Sequence, residues 1–168
     1  MNRFAELLDR LAYEPGRNNK LRLISAYFRD VEDPDRGYAL AALTGALSFK
    51  HAKPGLIRDL IAERTDPVLF ALSYDYVGDL SETVALMWPK DPSAPLLPRN
   101  GGEGGEIGRN NPPPPTLTEV VTRLRTLGKT ELPRQLARWL DELDETGRWA
   151  LLKLLTAAMR IGISARLA

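Results

Sequence analysis

The feature that most constrains this chain is a helical spacing of apolar residues that recurs in segment after segment, with no alternating strand pattern to compete with it. Phe4, Leu7, Leu8 and Leu11 follow it, as do Leu21, Ile24, Phe28 and Val31, and then Leu40, Leu43 and Leu47. Such spacing lays apolar side chains along one stripe of an α-helix, so three amphipathic helices are predicted to open the chain. Asp33-Pro34 and Asp66-Pro67 each offer a carboxylate for an N-cap and a proline for the first helical position, where its missing N–H costs nothing. Both pairs read as helix starts. A further helix is expected after Pro54, burying Ile57, Leu60 and Ile61. Another should follow Asp79, whose Glu82 three residues on resembles a capping box, with Leu80, Val84 and Met87 facing inward.

The pattern stops over residues 89–115, which hold Lys90-Asp91-Pro92-Ser93-Ala94-Pro95, glycines at 101, 102, 104, 105 and 108, and consecutive prolines from Pro112 to Pro115. Connections this long are uncommon inside compact domains, and the expectation is a mobile link between two helical lobes. Thr116 with Glu119 makes a second capping box, followed by a stripe of Leu117, Val120, Val121 and Leu124. Leu132, Leu136, Trp139, Leu140 and Leu143 form the next stripe. Asp144-Glu145-Thr146-Gly147 interrupts it before a helix carrying Trp149, Leu152, Leu155 and Met159. The predicted fold is all-α: a compact, two-lobed helical domain of about nine or ten helices, with a lobe over 1–88, a Gly/Pro-rich loop over 89–115 and a lobe over 116–168. No fixed-length repeat marks a regular solenoid.

With 168 residues, 43% of them apolar, the chain can bury one sizeable core or two small lobes with a shared interface. It has no cysteine, which excludes disulfides and thiolate metal sites and fits a reducing cytoplasm. Its first residues carry acids and lack the apolar stretch of a signal peptide. No later run approaches the roughly 20 apolar residues of a membrane span, so a soluble, cytoplasmic protein without a membrane partner is expected. The net charge of +1 gives no large electrostatic footprint for nucleic acid, so distribution matters more. From Arg148 onward come Arg148, Lys153, Arg160 and Arg166 with no acid. Arginine's planar fork suits phosphate oxygens, and an ordinary solvated helix face accounts for the same run.

Catalytic constellations are missing: there is no Gly-x-Ser-x-Gly elbow, no His-Glu-x-x-His and no P-loop. His51, the single histidine, sits among lysines and reads as solvated. The glycines of 101–108 neither follow a strand nor open a helix, so they make no phosphate loop. Asp141-Glu142 and Asp144-Glu145 read as solvated helix ends rather than metal ligands, and Trp139 and Trp149 fall on apolar stripes as core residues. No catalytic residue, metal site or cofactor is assigned to this chain.

The most informative segment is 151–168, a helix that runs into Arg160-Ile161-Gly162-Ile163-Ser164 and then restarts. Gly162 lets the backbone approach a ligand, Ser164 can cap the next helix, and the free N–H groups of that helix start attract phosphate, with Arg160 and Arg166 flanking. A ligand-free helix–glycine–helix turn fits the same residues.

Leu154-Leu155-Thr156-Ala157-Ala158-Met159-Arg160-Ile161-Gly162-Ile163-Ser164 is similar to the segment closing the DNA-binding domain of ATP-dependent DNA ligases, where a Leu-Arg-Ile/Val-Gly core recurs. Asn18-Asn19-Lys20 ahead of Phe28-Arg29, and Gly78-Asp79-Leu80-Ser81-Glu82, echo two further family segments in the right order. The resemblance covers essentially the whole chain and looks closest to bacterial-type, multidomain ligases. Ala157 and Ala158 stand where the family often has small glycines, and the Gly/Pro loop is less family-like.

The resemblance implies a non-sequence-specific duplex-binding domain lying on the minor-groove face of nicked DNA in repair or replication, in a nucleoid-associated bacterial enzyme. Its partners would be double-stranded, nicked DNA and the adenylation and OB domains of the same ligase. No lysine here begins a Lys-x-Asp-Gly nucleophile motif, so the catalytic domains are expected to lie outside this sequence, and ATP and Mg are expected only for them. The resemblance makes Arg160, Gly162 and Ser164 the first candidates for phosphate contact, then Arg166, then Asn18, Asn19 and Lys20. Physically, Asn18 or Asn19 can cap a helix whose N–H groups, with Lys20, draw an anion, although plain capping explains them equally. A helical protein-interaction scaffold is the alternative, favoured by the balanced charge. A self-sufficient enzyme would require an unrecognised acidic metal site.

Overall fold

A computed structural model of the chain describes residues 1–89 and 114–156, and among these there are nine α-helices and no strand. They are α1 (Asn2–Tyr13), α2 (Arg17–Asp30), α3 (Asp35–Leu43), α4 (Pro54–Arg64), α5 (Pro67–Val77), α6 (Leu80–Met87), α7 (Leu117–Thr126), α8 (Leu132–Glu142) and α9 (Glu145–Thr156). The Gly/Pro-rich loop, apart from its ends, and the turn at Gly162 lie outside the described residues.

The expected stripes are the buried faces. Phe4, Leu7, Leu8 and Leu11 of α1 are buried, as are Leu117, Val120, Val121 and Leu124 of α7 and Leu132, Leu136, Trp139 and Leu140 of α8. The caps Asp66, Asp79 and Thr116 also hold. Asp66 Oδ1 accepts from the N–H groups of Val68 and Leu69 at 2.8 and 3.2 Å, Asp79 Oδ1 from Glu82 N–H at 2.9 Å, and Thr116 Oγ1 from Glu119 N–H at 3.1 Å. Between α5 and α6 the chain reverses through Gly78, whose φ of 77° suits a residue without Cβ.

Three local expectations need correction. Asp33 does not cap α3: Pro34 holds the N-cap position, and Asp33 instead pairs with Arg36 at 3.0 Å. The third stripe fails because α3 ends at Leu43, where Gly45, at φ 75°, turns the chain; Leu47 is buried from the following connection, and Leu40 is 38% exposed. The face α3 buries is made by Ala39, Ala42 and Leu43, small enough for α7 to pack close against it. The expected break before α9 is present but shorter than 144–147: α8 ends at Glu142 and α9 starts at Glu145, with Asp144 Oδ1 accepting from Gly147 N–H at 2.7 Å.

α9 packs against both α1 and α6, α1 also against α2, and α5 against α6. Buried residues from Met1 to Leu155, drawn from both described segments, form one contiguous cluster. Two further pairs set the geometry that matters below. α3 packs on α7, and Asp35 Oδ1 in the first turn of α3 accepts from both N–H and Oγ1–H of Thr118 in the first turn of α7. α4 packs on α8, and Arg64 in the last turn of α4 meets Asp141 in the last turn of α8 at 3.3 Å. These contacts bring the first turns of α3 and α7 together and the last turns of α4 and α8 together. Asp141 also accepts from Nε1 of the buried Trp88 at 2.9 Å, with the Arg64 guanidinium 5.0 Å above the indole ring.

Candidate nucleic-acid interface

The connection over 44–53 runs from the end of α3 to the start of α4, and the turn over 127–131 runs from the end of α7 to the start of α8. The longer connection contains no acid and exposes Lys50 and Lys53; the shorter exposes Lys129 beside the single acid Glu131. Lys53 is the N-cap residue of α4 and makes no side-chain cap bond. The first N–H groups of α4, at the exposed Gly55 in particular, follow Lys53 directly, an arrangement that suits a phosphate. Sequence reading assigned these lysines no role, because nothing in their local pattern shows that Lys53 stands at an uncapped helix start.

Arg160, Gly162, Ser164 and Arg166 lie outside the described residues. The rest of the basic run is engaged inside the protein. Arg148 is only 8% exposed and its Nε–H donates to the Leu140 carbonyl at 2.6 Å. Burial holds its guanidinium below the ordinary arginine range, although Asp141, Asp144 and Glu145 pull the other way. Lys153 Nζ bonds Asp79 Oδ2 at 2.6 Å, joining α9 to the turn at Gly78. Burial pushes the Asp79 carboxyl up, but Lys153 and the N–H groups of Glu82 and Ser81 together outweigh it and hold the group below its usual value.

Asn18, Asn19 and Lys20 fall within the first turns of α2 rather than before it. Gly16 is the N-cap residue, so neither asparagine caps the helix. Glu14 occupies that helix start instead: its Oε1 accepts from Gly16 N–H at 2.9 Å and from Asn19 Nδ2 at 3.3 Å. Asn18 is exposed and Lys20 half-buried. The remaining acidic pairs have structural partners, Asp141 as above and Glu142 with Arg138 at 3.2 Å. Trp139 is fully buried, whereas Trp149 is only partly so.

Comparison with known proteins agrees with this helical frame. The profile of the DNA ligase N-terminus family matches residues 1–168, and the chain belongs to that family, the N-terminal domain of ATP-dependent DNA ligases. No curated protein and no solved structure matches it. No helix among the described residues is long and apolar enough to cross a membrane.

Proposed function

We propose that this chain is a non-catalytic duplex-binding module, which holds nicked DNA by its phosphates for sealing by adenylation and OB domains of the same ligase. Family membership over the whole chain supports the reading, and the structural observation that carries it is the start of α4, which has no side-chain cap and is preceded by the exposed Lys50 and Lys53. Backbone amides and lysines recognise phosphate without reading base identity, so binding would follow duplex shape rather than sequence. Arg160, Gly162, Ser164 and Arg166 supply the second half of the contact on the ligase resemblance. Asn18, Asn19 and Lys20 rank behind them, because a phosphate at the start of α2 would meet the Glu14 carboxylate already there.

A net charge of +1 limits the electrostatic contribution, so affinity in isolation should be modest and steeply salt-dependent. The test is a salt series on nicked and intact duplex with the unaltered chain, Lys50→Ala/Lys53→Ala and Arg160→Ala. Each lost phosphate contact should flatten the plot of log affinity against log salt by about 0.9. Binding unchanged by both variants would reject this interface; no binding at low salt would reject the module as a self-sufficient DNA binder.

A further inference from the structure

We propose that the groove between α1, α6 and α9 docks a protein partner through an amphipathic helix with an aliphatic face and lysine- or arginine-bearing flanks. The groove encloses about 390 Å³ and is lined on its working surface by Asp9 and Tyr13 of α1, Glu82 and Leu86 of α6, and Glu145 and Trp149 of α9. Two observations define the occupant.

The first is unbalanced charge. No lysine or arginine lines the groove, and the Asp9 and Glu82 carboxylates are in no ion pair among the described residues. Glu145 acts electrostatically on Arg148, which is buried beneath it. Carboxylates around two aromatic rings, one of them 84% exposed, attract a cation both by Coulomb force and through the ring faces. They repel phosphate, which removes nucleic acid as the occupant.

The second is continuity with an uncovered apolar surface. α5 buries none of its residues, although its sequence is the most apolar of the nine helices, and it leaves Leu72 63% and Tyr76 93% exposed. These adjoin Leu86, which lines both the acidic groove and the apolar hollow between α5 and α6. Contiguous exposed apolar surface rimmed by charge is characteristic of protein contact sites. An aliphatic helix face meets Leu86 and Tyr76 while its basic flank meets Glu82 and Asp9, the helix-in-groove mode of recognition.

Position separates this site from Lys129. That lysine precedes the start of α8, and the groove is built on the start of α9, which follows the other end of α8, a helix of 11 residues spanning about 16 Å. On the duplex-binding reading, the partner and DNA are therefore held together; the groove itself does not depend on that reading.

The test uses a synthetic leucine–arginine peptide with leucines at i, i+3, i+4 and i+7, titrated calorimetrically and by the indole N–H resonance of Trp149. The expected result is saturable binding that moves this resonance and weakens at least about tenfold in Asp9→Lys/Glu82→Lys and in Leu86→Ser. All three positions are exposed, and an unchanged thermal melt verifies folding. A peptide of the same composition with its leucines scattered round the helix should bind at least about tenfold more weakly. Absence of saturable binding, equal binding by the scattered peptide, or indifference to both variants would overturn the proposal. So would displacement of the peptide by nicked duplex, which would place the two ligands on one surface.

Discussion

Arg148 and Lys153 are two cations that a charge map of the sequence assigns to solvent, and both are used to hold helices together. The Arg148 guanidinium satisfies the Leu140 carbonyl, one of the last-turn acceptors of α8 that has no partner within its own helix. Lysine in its place would keep the charge but lose the rigid planar donor. Arg148→Lys should therefore lower stability by about 1–3 kcal/mol, read as a shift of the urea midpoint at unchanged slope. Asp79 and Lys153 behave differently because their bond is partly open to water. The folded Asp79 carboxyl lies below its ordinary 3.8, so the pair's stabilisation is complete above that pH and is lost as pH falls through the lower folded value. Asp79→Asn keeps a capping oxygen and removes the charge. The variant should be less stable than the parent by at most about 1 kcal/mol at neutral pH, and the two should converge in acid.

At the level of the element, Asp33-Pro34 and Asp66-Pro67 carry the same sequence signal, yet only Asp66 caps a helix. Asp66→Ala should cost about 1 kcal/mol, and Asp33→Ala should leave the thermal midpoint nearly unmoved; equal losses would contradict the geometry. The difference marks what was legible. Helix type and buried stripe follow from period alone, and the stripes of α1, α7 and α8 emerged residue for residue. Starts and stops depend on local hydrogen bonds that compete, so Asp33 was drawn to Arg36, and Leu47, which matched the period, lies beyond the turn at Gly45. The break before α9 was read too long, over 144–147 where only Leu143 and Asp144 leave the helices, because capping residues and loop residues are the same residue types.

At the scale of the whole molecule, the family was legible because its segments are local and ordered, and the all-α class because no strand pattern competed. The lysine site was not legible. Lys50 and Lys53 belong to one connection and Lys129 to another, and only the structure shows that all three are exposed, with Lys53 at a helix start that no side chain caps. Nor could composition reveal an acidic groove without lysine or arginine beside separately exposed lysines in a protein of charge +1. Local segregation of opposite charge can support two unlike partners where the net value argues for neither.

The packing of α1 against α9 also has a kinetic meaning. A chain emerging from the ribosome makes α1 well before α9, but the apolar stripe of Phe4, Leu8 and Leu11 has its principal neighbour in that later helix. Contacts between sequence-distant partners are slow to form, and until α9 emerges the first helix keeps uncovered surface open to wrong pairings. Synthesis halted after α8 would leave helices 1 to 8 without the element that α1 and α6 share. Such a nascent chain should remain sensitive to protease until α9 clears the exit tunnel, and become resistant in one late step.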